Sequence, residues 1–334
     1  MADFYNPEYV DNDGVKLAVY RDGPLPSETD KPAVIFMHGW PDVAITWNHQ
    51  LAALGAAGYP VFTYDGRGYG RSDAPEGREN YTMAKLTSDI VAVQDHFGID
   101  AAVLVGHDWG AIVLWQTPFY IGDRVLGCAG LNVPLLRHYP VDPVTIFRQA
   151  LGENMYIVRF QEEGACEPIL EKDFNETFKF FMRKPSGGKA IKKPKTENLA
   201  FAFKSIDLIS ILEAGEDAWG GTALLGQEEM DYYVDAFSRN GMTGPLHWYR
   251  NMPANWEAQK QFLVDGALPK VMKPCLMFTA ELDGVCPPRL ADGMEELCEP
   301  YERVDFKGIG HWTQQEKATE VNEKLIDWIG RHFE

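Results

Sequence analysis

One stretch constrains this chain more than any other: Ala101-Ala102-Val103-Leu104-Val105-Gly106-His107-Asp108-Trp109-Gly110-Ala111-Ile112-Val113-Leu114-Trp115. It opens as a short continuous apolar run, the pattern of a strand buried on both faces. After a break it resumes with Ile112, Val113 and Trp115 at helical spacing. A strand that turns directly into a helix forces the turn residue into a strained backbone, and only small neighbours leave room for it. Gly106 and Gly110 stand two residues to either side of Asp108. The side chain at such a turn projects from the top of the sheet, and the helix N-terminus behind it favours negative charge. Serine commonly fills this position, and a serine needs a base before it can attack. A carboxylate, with an ordinary pKa of about 3.9, is already ionised at neutral pH. Asp108 is therefore either a nucleophile for a saturated carbon, giving an alkyl ester that water must hydrolyse, or an aspartate that caps the helix starting at Trp109.

The rest of the composition narrows the partners. With 334 residues and 45% hydrophobic content, the chain buries either one large α/β domain or a core with an insert. A formal net charge of −18 repels nucleic acid and offers nothing to anionic substrates, so a small neutral organic substrate fits better. No basic and apolar leader opens the sequence, and no apolar run is long enough to cross a bilayer. Five cysteines (Cys128, Cys166, Cys275, Cys286, Cys298) form no CxxC pair and leave one over, against a disulfide framework. The chain reads as a soluble cytoplasmic protein with reduced thiols and no membrane partner.

Residues 9–21 read as two short strands about the turn Asp11-Asn12-Asp13-Gly14. Ala33–Met37 is a central strand that runs into His38-Gly39-Trp40-Pro41, where Gly39 lets backbone approach a reaction centre and backbone N–H groups face a developing oxyanion. A helix over 46–57, a strand over 59–64, a helix over 83–97 and a strand at Val125–Leu131 follow. The glycine-dense 65–72 segment has neither the Lys-Ser/Thr ending of a phosphate loop nor dinucleotide spacing. Alternation of strands and helices implies a mostly parallel sheet flanked by helices, with its site at the strands' carboxyl ends. Past residue 134 that rhythm stops: 135–268 reads as helices at 154–161, 168–181 and 227–239, with a basic excursion at 184–195. The sheet resumes in 269–334, with strands at 275–279 and Tyr301–Phe306. Asp283 and His311 each sit just past one of these strands, in the order nucleophile, acid, histidine. Glu281 competes for the acid role, Asn132 cannot ionise, His107 reads as a packing residue, and His49, His96 and His332 read as surface helix residues.

Taken together, His38-Gly39-Trp40-Pro41, Gly106-His107-Asp108-Trp109-Gly110, the helical insert, Asp283 and His311 resemble the soluble epoxide hydrolases of the α/β-hydrolase superfamily. The resemblance covers nearly the whole chain. It implies an α/β-hydrolase core (1–134 and 269–334) under a helical cap (135–268), with no cofactor and no metal. It implies Asp108 as nucleophile, His311 as general base oriented by Asp283, and an oxyanion hole made of the Trp40 and Trp109 N–H groups. The family carries two cap tyrosines that hold the epoxide oxygen. Their places correspond here to Tyr156 in Asn154-Met155-Tyr156-Ile157-Val158-Arg159-Phe160-Gln161 and to Tyr249 in Trp248-Tyr249-Arg250-Asn251, with Tyr232 and Tyr233 as substitutes. The implied partners are a neutral organic epoxide and water. Two rivals remain: a haloalkane dehalogenase, which shares Asp108, the following Trp109 and the Asp283/His311 pair but usually has Asn in place of Trp40 and lacks the Tyr249 motif, and a catalytically silent ligand receptor on the same scaffold.

Overall fold

The computed structural model describes residues 2–185 and 206–334. Eight strands form one sheet: β1 (Glu8–Asn12), β2 (Val15–Asp22), β3 (Ala33–Met37), β4 (Val61–Tyr64), β5 (Ala102–His107), β6 (Val125–Leu131), and two late strands, Cys275–Ala280 and Tyr301–Phe306. Their order across the sheet is β1-β2-β4-β3-β5-β6, then Cys275–Ala280 and Tyr301–Phe306 at the far edge. β2 runs antiparallel to both of its neighbours, and every other pair is parallel. Asp13 and Gly14, both with positive φ (53° and 82°), close the β1–β2 hairpin, as the Asp-Gly turn signal requires.

Every residue of β3, β4, β5 and Cys275–Ala280 is buried, so their unbroken apolar runs record a sheet covered on both faces. The cover comes from α1 (Asn48–Ala56) packed on the C-terminal helix Ala318–Phe333, and from α2 (Met83–His96) packed on α3 (Trp109–Tyr120). β5 lies between β3 and β6. Chain entering from either side therefore delivers loops to the end of β5, which is where Asp108 stands.

Between β6 and Cys275–Ala280 the described chain is mainly helical, from the four-residue Tyr156–Arg159 through Phe174–Phe181 and Thr243–Arg250 to the 14-residue Gln227–Asn240. One small antiparallel pair, Arg183–Lys184 with Thr222–Ala223, lies among them. The continuous helix expected over 168–181 is in fact two, Glu167–Leu170 and Phe174–Phe181. Asp173 accepts hydrogen bonds from the amides of Asn175 and Glu176, a cap that starts a new helix instead of continuing the old one. The helix expected over 154–161 is reduced to the single turn Tyr156–Arg159. The basic excursion expected at 184–195 lies outside the described residues from position 186 onward. No helix among the described residues is long and apolar enough to cross a membrane.

Candidate active site

Asp108 holds φ 51° and ψ −118° between β5 and α3, a conformation that costs a non-glycine residue of order 1–3 kcal/mol. The neighbouring glycines explain how it is held. A Cβ on Gly106 would lie 2.3 Å from the Gly110 carbonyl oxygen, and one on Gly110 would lie 2.1 Å from that of Met37. A Cβ on Gly39 would meet the Asp108 side chain at 2.5 Å. The turn closes only because these three positions carry no side chain.

The carboxylate so presented is buried and met by amides. Asp108 Oδ1 accepts from the Trp40 N–H at 2.8 Å, and the Trp109 N–H also bonds the carboxylate. Burial raises the Asp108 carboxyl above its ordinary pKa, opposed by the nearby charge of His311 and by these two amides. His311 stands with Nε2 3.7 Å from Asp108 Oδ2, too far for a hydrogen bond. That spacing leaves the imidazole edge free to hold another molecule. Its Nδ1 faces Asp283 Oδ2 at 2.9 Å. Burial alone would lower the His311 pKa, but the charges of Asp283 and Asp108 and the hydrogen bond to Asp283 push it up to about 9. Burial likewise would raise Asp283. The charge and hydrogen bond of His311, together with the Cys286 amide and the Asn132 side chain, outweigh it and hold that carboxyl below its ordinary value.

Tyr156 and Tyr249 project from the helices Tyr156–Arg159 and Thr243–Arg250 into the cavity that Asp108 lines. Their ring centroids are 6.0 Å apart and nearly perpendicular, and both pack against the Trp40 indole. Burial keeps both phenols protonated, reinforced for Tyr156 by the negative charge of Asp108 and for Tyr249 by Tyr156 and then Asp108. The cavity measures about 810 Å³, and Trp40, Phe180, Phe181, Trp219, Leu282 and Trp312 supply much of its wall. Such a lining suits an apolar ligand of substantial size.

The remaining sequence candidates sort cleanly. Glu281 is exposed and accepts from the Gly308 amide, so Asp283 alone meets His311. Tyr232 donates to the Phe4 carbonyl and Tyr233 to Asp42, and neither lines the cavity. His107 bonds the backbone carbonyl of His311 through Nε2 at 2.7 Å, a packing residue that also fixes the histidine loop. His49 and His96 are exposed, and His332 is partly buried against Glu302.

Three contributors were not singled out from sequence. Asn132 cannot ionise, yet its Nδ2 donates to Asp283 Oδ2 at 2.8 Å. Its place at the end of β6 was the signal. Gln161 bonds the carbonyls of both Ile157 and Tyr249, and Arg250 donates to the Phe160 carbonyl while pairing with buried Glu167 at 2.8 Å. Together they tie the two tyrosine-bearing helices to each other. No local pattern announces such long-range partners.

A mostly parallel sheet carrying an acidic residue at a strand-to-helix elbow, with acid and histidine on later strand ends, is an α/β-hydrolase arrangement. Residues 32–318 match the alpha/beta hydrolase fold family. Epoxide hydrolase A of Mycobacterium tuberculosis (strain ATCC 25618 / H37Rv) is 38% identical over 322 residues, covering 96% of each chain. Bifunctional epoxide hydrolase 2 of Mus musculus is 35% identical over 89% of this chain, which spans only 51% of that larger protein. The crystal structure of Epoxide Hydrolase A from Mycobacterium thermoresistibile superposes with a TM-score of 0.80 at 33% identity, covering 97% of both chains. The chain belongs to the epoxide hydrolase family.

Proposed function

We propose that this chain hydrolyses epoxides to vicinal diols in two half-reactions, the reading carried above all by two buried phenols sharing one apolar cavity with the carboxylate at the elbow. Asp108 attacks a ring carbon, the C–O bond breaks, and the alkoxide takes its hydrogen bond and proton from Tyr156 and Tyr249. The product of this step is an alkyl ester of Asp108. Forming it removes the Asp108 charge, one of the charges that hold His311 up near 9. The imidazole pKa then falls, so the ring releases its proton to solvent and is left free to accept one from water in the step that follows. His311, held by Asp283, takes a proton from water, and the hydroxide attacks the ester carbonyl. The Trp40 and Trp109 amides receive the oxyanion, at about 3 kcal/mol per donor in comparable sites. Collapse of the tetrahedral intermediate breaks the ester C–O bond, the proton of the new carboxyl passes to the departing diol oxygen, and Asp108 is restored; the proton held by His311 returns through solvent to the tyrosinate left by ring opening.

No cofactor or metal enters this scheme. Residues 135–268 serve as the cap that brings the tyrosines over the core. Five free, buried cysteines fit a reducing compartment such as the cytoplasm. A haloalkane dehalogenase would need N–H donors for a halide and would gain nothing from paired phenols. The test is His311→Gln incubated with an epoxide and measured by intact mass. An adduct of one substrate per chain, mapped to Asp108, is expected. Absence of any adduct, or one at another residue, contradicts the two-step reading.

A further inference from the structure

Close beside the His311–Asp283 pair lies a group the hydrolytic scheme does not use, the thiol of Cys286. A carboxylate oxygen of Asp283, Sγ of Cys286 and a ring nitrogen of His311 all lie within 4.8 Å of one another. They are three of the donor types that bind zinc, one from each class. A tetrahedral zinc site with bonds of about 2.0–2.3 Å sets its ligands roughly 3.3–3.8 Å apart, so side-chain rotation of about an ångström closes this set around an ion. Asp283 and His311 line the cavity and Val285 reaches it from the same loop, which gives a cation a route to the cluster.

We propose that Asp283, Cys286 and His311 form a site for a thiophilic divalent cation, zinc or cadmium, and that its occupation stops hydrolysis.

The electrostatics favour it. Asp108 and Asp283 place two carboxylates about this thiol, and burial together with their charges raises the Cys286 pKa well above its ordinary value. Without a metal the thiol therefore stays protonated and inert. An arriving dication displaces that proton and one from His311 to solvent, bonding the thiolate and the freed ring nitrogen, so binding releases H⁺. The cation also competes for the 2.9 Å contact between His311 Nδ1 and Asp283, which is the contact that orients the base. Its effect on rate rests on the catalytic roles proposed above; binding itself does not.

The experiment titrates zinc chloride, then cadmium chloride, into the purified full chain in a non-chelating buffer, with wild type beside Cys286→Ala. Each protein's rate is referred to its own metal-free value. Wild type is expected to lose epoxide turnover with zinc and regain it with EDTA, while Cys286→Ala requires at least about tenfold more zinc for half-inhibition. Cadmium adds an ultraviolet thiolate-to-metal charge-transfer band to wild type that the variant lacks, and this readout stands even if no epoxide is turned over. Equal zinc sensitivity of the two proteins, or a cadmium band independent of Cys286, overturns the proposal. If Cys286→Ala does not fold, Cys286→Ser, close in shape and a poor zinc ligand, is read the same way.

Discussion

At the scale of single residues, the chemistry depends on what surrounds each group more than on the group itself. Tyr156 and Tyr249 address one space above Asp108, so removing one hydroxyl leaves the other to donate. Tyr156→Phe and Tyr249→Phe are each expected to slow ring opening but keep it measurable. The double variant must expel a bare alkoxide, and a penalty of a few kcal/mol means at least about a hundredfold in rate. Stopped-flow kinetics resolve this step from ester hydrolysis, which should be much less affected; wild-type ring opening in the double variant would make the tyrosines packing residues. Asn132→Ala removes the 2.8 Å bond to Asp283 and is expected to slow hydrolysis of the ester more than its formation, read from accumulation of the intermediate. These residues differ in how legible they were. Asp108 and His311 carry local signatures, glycines at fixed offsets and a strand end. Asn132 carries only a strand end, because its value lies in a carboxylate 151 residues further along. A test of ionisability discards such a residue, whereas its place at a strand end does not.

At the scale of elements, the elbow was readable because its constraint is local. Glycine spacing and an apolar run dictate a strand, a strained turn and a helix, and β5 and α3 have that form. Gly110→Ala would set a Cβ against the Met37 backbone oxygen at 2.1 Å. No flexible side chain can yield there, so a loss of about 3 kcal/mol or more is expected in urea unfolding. The helices between β6 and Cys275–Ala280 were less legible. Two of them, Tyr156–Arg159 and Glu167–Leu170, are single turns too short for a reliable periodic signal, whereas the longer Gln227–Asn240 follows the helix expected over 227–239; long-range ties fix their placement. Arg250 and Glu167 form a pair at 2.8 Å with the Arg250 side chain fully buried. Arg250→Met leaves a buried carboxylate alone, at a cost of about 3–5 kcal/mol. Arg250→Met with Glu167→Leu removes both charges and should recover much of that stability while leaving epoxide turnover impaired, since the bond to the Phe160 carbonyl beneath Tyr156 is still lost. Thermal unfolding and turnover measured on the two variants separate packing from positioning.

At the scale of the whole molecule, the site and the stability are linked through protons. His311 is raised to about 9 from an ordinary 6.5, so the folded chain holds its proton more tightly than the unfolded one. The resulting stability is fully present below about pH 6.5 and is lost as pH rises through about 9. Asp283, depressed, contributes above the ordinary carboxylate pKa and loses that contribution as pH falls. Stability of wild type is therefore expected to decline between about pH 6.5 and 9, and His311→Gln should flatten that limb in thermal unfolding across pH; an unchanged limb would place the titration elsewhere. The overall architecture was legible because alternation of strands and helices, and its interruption past residue 134, are long-range patterns that a single substitution does not blur. Burial of the phenols over the nucleophile was not legible from patterning, because periodicity does not say how a cap closes on its core; resemblance to a family supplied it. The central claim is that water attacks the carboxyl carbon of Asp108 and not the epoxide. It is tested most directly by one turnover, with enzyme in excess over epoxide, in water enriched in heavy oxygen. Peptide mass analysis should find the label in the Asp108 carboxylate and none in the diol formed. Label in that first diol, with Asp108 unlabelled, would mean that water opens the ring itself and would contradict the account.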